Sequence, residues 1–211
     1  MTGVRKVVTR SPHRRVGFIA CLWFQPTSIE YESLLERDFV RLALLDLEVS
    51  LIDHQPFSLD LGELGTYIPD FLLSGPEKKL VIEVKPDEHA SSSRNKPRLA
   101  RAAQLLREKG YRFMVATEKY VHADTRHERA AILLRHARSH LSDDFCAHIL
   151  AIAAQSPRGL TISALAAAAG APTSAVLHLI GRRRLTIAKT LAFDDAQKVY
   201  PIGGQHGSLH S

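Results

Sequence analysis

Two short apolar runs, Tyr67-Ile68-Pro69-Asp70-Phe71-Leu72-Leu73 and Leu80-Val81-Ile82-Glu83-Val84-Lys85, flank a Gly75-Pro76-Glu77-Lys78 step. That pattern reads as a β-hairpin closed by a tight loop. Three ionisable residues interrupt the runs: Asp70, Glu83 and Lys85. If Ser74 pairs with Lys79, the antiparallel register sets Asp70 directly opposite Glu83, where Cβ atoms lie about 4.5–5.5 Å apart. Lys85, two residues beyond Glu83, shares its face. Ile68, Leu72 and Val81 fall on that face too, and Phe71, Leu73, Ile82 and Val84 fill the other, so both faces are predicted to be covered. A surface hairpin carrying an ordinary salt bridge would instead leave one face wet. Adjacent carboxylates in apolar surroundings cost several kcal/mol unless a cation or partner compensates. The patch is therefore read as a place to hold a divalent metal and a phosphate.

The 211 residues, 45% of them hydrophobic, suffice for one domain plus a small module. The formal net charge is +6, and the positive charge is clustered. Arg5, Lys6, Arg10, Arg14 and Arg15 crowd the first fifteen residues. Seven Lys and Arg lie between Arg94 and Arg112 against Glu108 alone, and Arg182-Arg183-Arg184 forms a third group. One such run is often a solvated face, but three in one chain point to a polyanionic partner, nucleic acid above all. Cys21 and Cys146 stand far apart in apolar contexts, so no disulfide framework is implied. The eleven histidines form no HExxH pattern and there is no CxxC pair, which leaves no zinc signature. No apolar run is long enough to span a bilayer. The expectation is a soluble, cytoplasmic protein with no membrane segment.

Along the chain, Val16–Phe24 is predicted as a short strand, and Ser28 or Ser33 as a helix start. Ser33-Leu34-Leu35-Glu36 has capping-box spacing. Val49–Leu61, with its Gln55-Pro56 step, suggests a strand with an extended or edge element. Residues 87–96 are polar and loop-like. A helix is predicted from Pro97 to Lys109, stopped by Gly110, then a strand over Tyr111–Thr117. The order implies a mixed α/β core over 16–122, preceded by a basic arm at 1–15. In 123–202, helices are predicted at His127–His140, Ile149–Gln155, Ile162–Ala169 and from Pro172 toward Arg184. Strands at Leu185–Phe193 and Lys198–Ile202 would follow, the pattern of a winged helix-turn-helix. The Gly/His/Ser-rich tail, 203–211, is predicted to be disordered.

Pro69-Asp70 followed by Glu83-x-Lys85 resembles the PD-(D/E)xK nuclease signature. A wider string carries the likeness further: Tyr31-Glu32-Ser33-Leu34-Leu35-Glu36-Arg37-Asp38-Phe39, Gln55-Pro56, Tyr67-x-Pro69-Asp70-Phe71, Glu83-Val84-Lys85, and Tyr111-Arg112-Phe113 to Thr117-Glu118. Together they are similar to the N-terminal domain of TnsA endonucleases, the nuclease subunits of heteromeric cut-and-paste DNA transposases. The likeness covers roughly residues 14–121. It implies a restriction-endonuclease-like mixed sheet flanked by helices, and a winged-helix-like module after it. It implies double-stranded DNA at transposon ends as substrate, cut near the 5′ ends, with a DDE transposase and an ATPase regulator as partners.

The chemistry can be reasoned from the residues. Asp70 and Glu83 are hard oxygen ligands suited to Mg²⁺, with Mn²⁺ able to substitute. Lys85 is a compact charge able to orient a water and stabilise the transition state. By resemblance, the backbone carbonyl of Val84 adds a ligand and an acid on the preceding helix completes the site. Glu36 matches that acid best, with Glu32 one turn earlier as its rival and capping with Ser33 as its competing role. Gln55 is read as a supporting residue. Arg94, Lys96, Arg98 and Arg101 are candidates for DNA phosphates beside the site, and Arg182, Arg183 and Arg184 for a second contact. Two other readings stay open: a stand-alone nuclease of restriction or repair type, and a non-catalytic winged-helix DNA-binding regulator.

Overall fold

The computed structural model describes residues 16–76, 79–194 and 197–202. The basic arm, the tail, and Glu77, Lys78, Asp195 and Ala196 lie outside them. The chain divides into two compact units, Met1–Ala123 and Asp124–Ser211.

The first unit opens with a two-stranded hairpin, β1 (Gly17–Ile19) and β2 (Ile29–Tyr31). β1 is shorter than the strand predicted over Val16–Phe24, because the chain turns at Cys21, whose carbonyl accepts the amides of Phe24 and Gln25. β2 was not anticipated. Helix α1 (Leu34–Ala43) starts at Ser33, whose Oγ accepts the Glu36 amide. Its buried stripe is Phe39, Val40 and Ala43.

Three strands follow: β3 (Leu51–His54), β4 (Leu59–Asp60) and β5 (Thr66–Tyr67), the last two forming a small hairpin of their own. β6 (Phe71–Ser74) and β7 (Lys79–Lys85) come next, with Phe71 opposite Ile82 and Ser74 opposite Lys79. The expected register holds, yet the run from Tyr67 is not one strand. Pro69, lacking an N–H for the ladder, separates β5 from β6 and leaves Asp70 just ahead of β6. Helix α2 (Asp87–Ser91) occupies a stretch read as loop, and α3 (Asn95–Glu108) starts before Pro97. Pro97 is tolerated in the first turn because amides there have no intrahelical acceptor. α3 stops at Glu108, two residues before Gly110, whose φ of 79° suits glycine. β8 (Arg112–Thr117) then pairs parallel to β7, and the short α4 (Glu118–Val121) follows.

β3, β6, β7 and β8 form one mixed sheet in that order. Phe71 stacks on Phe39 of α1, with ring centroids 5.8 Å apart. The opposite face is a cluster of Leu59, Leu61, Tyr67, Val81, Leu99, Ala102 and Leu106, which brings α3 and the β4–β5 hairpin onto it. Both faces of the central hairpin are thus covered. The open edge of β3 is capped by the buried Gln25 side chain, which accepts from the Ile52 amide (3.0 Å) and donates to its carbonyl (3.2 Å).

The second unit contains α5 (Arg126–His136), α6 (Asp143–Ala154), β9 (Leu160–Thr161), α7 (Ile162–Ala168), α8 (Thr173–Gly181), β10 (Leu185–Thr186) and β11 (Lys198–Pro201). The three strands make a small antiparallel sheet in the order β10-β11-β9. α6 begins six residues before the predicted Ile149, capped by Ser142 at the Phe145 amide and led by Asp143 and Asp144. α8 stops at Gly181 rather than reaching Arg184. The strand predicted over Leu185–Phe193 is only two residues long, and Leu191 has a φ of 54°. Among the described residues no single helix is long and apolar enough to cross a membrane.

α5 and α8 approach closely at Gly181. A Cβ there would lie 2.4 Å from the Leu133 carbonyl oxygen and 2.9 Å from Ala137 Cβ. Gly181→Ala is expected to destabilise the second unit by about 1–3 kcal/mol through overpacking. A lowered urea midpoint, with the first unit's transition unchanged, is the measurement that checks it.

Candidate active site

The side chains that matter converge beside the β6–β7 hairpin of the first unit. Asp70 sits where Pro69 interrupts the ladder, and its Oδ2 accepts the Val84 amide at 2.7 Å. That bond ties the carboxylate across to β7. Glu83, on β7, is 3% exposed, and its two oxygens have different partners. Oε2 accepts the Tyr67 hydroxyl at 2.5 Å, and Oε1 is paired with Lys85 Nζ. Asp70, Glu83 and Lys85, the three residues singled out from the hairpin pattern, therefore share one site.

Glu36 enters from the first turn of α1. Its carboxylate completes the capping box, with Oε1 accepting Ser33 Oγ (2.9 Å) and Oε2 the Glu32 amide (2.7 Å). The capping role and proximity to the site coexist: the Glu36 charge acts on both Asp70 and Lys85. Glu32 is turned to another task, its Oε1 accepting from Gln55 Nε2 at 3.0 Å. Gln55 also donates its backbone N–H to the Asp70 carbonyl at 2.9 Å, from a left-handed backbone with φ 43°. It thus couples the start of α1 to the main chain at Asp70.

The electrostatics follow from this crowding. Burial, then the charges of Glu83 and Glu36, push the Asp70 carboxyl well above an ordinary aspartate; the Val84 amide and Lys85 only partly oppose the shift. Burial likewise raises Glu36, against the lowering effect of its capping bonds. For Lys85, burial alone would favour the neutral amine, but Glu83, Asp70 and Glu36 outweigh it and hold the ammonium charged. Burial and the Glu83 charge raise the Tyr67 phenol, which stays a neutral donor.

Asp70, Glu83 and Lys85 line a cleft of about 650 Å³, together with Thr66 and Tyr67 of β5 and with His89, Arg94, Asn95 and Arg98 from α2 and the start of α3. Two of the four cations expected to line DNA, Arg94 and Arg98, border this cleft. Arg98 is committed to the scaffold: its guanidinium donates to the carbonyls of Leu64 and Thr66 (the latter 2.8 Å), holding the β4–β5 hairpin against α3. Arg101 bonds Gln104 within α3 (3.0 Å), and Lys96 is exposed. In the second unit, Arg182 Nε donates to the Ala137 carbonyl at 2.6 Å, Arg183 has a φ of 58°, and Arg184 is exposed.

Sequence reasoning missed Tyr67 and His89. The tyrosine was visible in the Tyr67-x-Pro69-Asp70 string, but its contact with Glu83 depends on the break at Pro69. His89 was hidden because α2 was read as loop.

Residues 46–118 match the family model described as TnsA-like endonuclease N terminal. Over that stretch the first unit is similar to the TnsA-like endonuclease N-terminal domain. The matched stretch spans β3 to β8, so it includes Gln55, Tyr67, Asp70, Glu83, Lys85 and the basic start of α3. Ser33 and Glu36 precede it, and it is narrower than the resemblance drawn over 14–121. No curated protein matches the chain. The likeness thus falls on the same sheet that builds the cleft.

Proposed function

We propose that this chain is a Mg²⁺-dependent DNA endonuclease that acts as the TnsA-like subunit of a transposase, cutting phosphodiester bonds at the 5′ ends of a transposon beside a DDE transposase. The observation that carries this reading is the convergence of Asp70, Glu83 and Lys85 on one cleft within a TnsA-like domain.

The donor set fits a hard divalent cation. Asp70 and Glu83 offer carboxylate oxygens, the Val84 carbonyl and Glu36 stand as further ligands, and a cation would favour the ionised form of an Asp70 carboxyl raised by burial and then by the charges of Glu83 and Glu36. Such an ion, Mg²⁺ or Mn²⁺, supplies a bound water acidic enough to act near neutral pH. Lys85 orients the nucleophile and stabilises charge that builds on the phosphate. Arg94 and Lys96 hold flanking phosphates, with Arg101 further along α3, while Arg98 keeps the cleft wall in place.

The second unit is read as a winged-helix-like module. Its helix–strand–helix–helix–strand–strand order from α6 to β11 supports that reading. The module would meet the transposase, an ATPase regulator or the DNA, with Arg182, Arg183 and Arg184 as the contacts for nucleic acid.

The test is incubation of the purified chain with supercoiled plasmid bearing transposon ends, with Mg²⁺ and with EDTA. Cleavage that requires Mg²⁺ and appears only when the DDE transposase is added is the expected result. Robust cutting by the chain alone would identify a free-standing nuclease. No cutting under either condition, with Asp70→Ala binding DNA as the wild type does, would favour a DNA-binding regulator.

A further inference from the structure

The two oxygens of Glu83 are held by partners of opposite character. Lys85 sits on a flexible stem, its side chain 27% exposed, and can surrender Oε1 to an incoming cation. Tyr67 cannot yield Oε2 in the same way. The tyrosine is 6% exposed, and its ring is embedded among Leu59, Leu61, Val81 and Leu99. Its backbone is fixed twice over: Tyr67 pairs with Leu59 across the β4–β5 hairpin, and Arg98 grips the carbonyls of Leu64 and Thr66 on either side of Gly65, where the chain enters β5. A buried hydroxyl donating at 2.5 Å to a carboxylate has no better partner to turn to. Glu83 therefore presents a cation with one oxygen whose partner can move away and one already tied to a fixed donor.

The number of oxygens offered separates divalent ions. Ca²⁺ gathers about six to eight oxygens and readily takes both oxygens of one carboxylate, whereas Mg²⁺ requires near-octahedral geometry built from single, shorter contacts. Mn²⁺ shares the preference for hard oxygen ligands and octahedral sites. We propose that Tyr67 is a positioning residue that restricts Glu83 to one-oxygen coordination, so that the cleft selects Mg²⁺ and Mn²⁺ over Ca²⁺. The proposal rests on the metal-dependent reading above and adds to it the residue that sets the choice of ion. Tyr67 acts through Glu83, and no contact with DNA is asked of it.

The experiment measures binding rather than cleavage. The full chain and its Tyr67→Phe variant are stripped with EDTA and titrated calorimetrically with Mn²⁺ and, separately, with Ca²⁺. Phenylalanine keeps the ring and its packing and removes only the hydroxyl. The Kd for Mn²⁺ is expected to rise about 10- to 100-fold, in the range seen when residues supporting a ligand are removed. The Kd for Ca²⁺ should change far less, so the preference for Mn²⁺ falls at least tenfold. Equal shifts for both ions, or no shift for either, would overturn the proposal, because a loosened scaffold or an irrelevant hydroxyl predicts those results. A Tyr67→Phe chain that fails to fold in EDTA would overturn it too, by assigning the hydroxyl to the fold. Wild-type protein that binds neither ion removes the metal-dependent reading itself, and the ion-selection proposal falls with it.

Discussion

Lys85→Ala is expected to reduce DNA cleavage by about 10²–10³-fold, the scale of losing one group that stabilises transition-state charge, while Mn²⁺ affinity stays the same or rises. The asymmetry follows from where the ammonium rests. Without a cation, Lys85 Nζ is paired with Glu83 Oε1, the oxygen left open once Tyr67 has taken Oε2. Lysine and metal therefore compete for one atom. The negative charge of Glu83, Asp70 and Glu36 holds the lysine there and keeps it protonated. Removing it frees the oxygen and leaves the acids to repel one another until a cation arrives. Single-turnover cleavage of end-bearing DNA at saturating Mg²⁺, set beside calorimetric Mn²⁺ titration, separates the two effects. A parallel loss of cleavage and metal affinity would mean that Lys85 serves mainly to hold Glu83 in place.

The residues that sequence made legible are those whose placement is local. Ser74 opposite Lys79 follows from a short turn, and once that pair is set Asp70 must approach Glu83. The Ser33–Glu36 capping box is likewise a relation of three residues along one helix turn. What escaped depends on tertiary contacts. Tyr67 meets Glu83 only because Pro69 splits the expected strand and sends Thr66–Tyr67 to pair with β4. Arg98 looks in sequence like any cation of a basic helix, yet its guanidinium goes to Leu64 and Thr66, thirty-odd residues earlier. Gln25 reads as a loop residue, and its role in closing the β3 edge rests on a strand 27 positions away. Short elements were lost for a different reason: β2, α2 and β9 are too brief to show a period.

Asp70→Asn is expected to abolish cleavage and, in the absence of metal, to stabilise the protein by about 1–2 kcal/mol at neutral pH. Asparagine keeps an oxygen for the Val84 amide, so the geometry that joins β6 to β7 survives. It removes one of three mutually repelling acids, and Lys85 keeps its partner in Glu83. The pH dependence has a definite sign. Asp70 in the folded protein holds its proton to a pH well above the ordinary 3.8, because burial and then Glu83 and Glu36 disfavour the charge. Between 3.8 and that raised value the native state binds more protons than the unfolded chain, so wild-type stability falls as pH rises through the window. Below it Asp70 is neutral in both states and contributes no difference. The gap between variant and wild type should therefore open as pH increases and stay constant once native Asp70 is ionised. Glu36, also raised by burial, adds a slope of the same sign to the wild type. Thermal midpoints in EDTA across roughly pH 4 to 8 measure the gap, and Mn²⁺ should narrow it by stabilising the wild type alone. An Asp70→Asn protein less stable than wild type at pH 7 would show instead that the Val84 amide and Lys85 more than compensate the buried carboxylate, leaving no excess of negative charge for a cation to relieve.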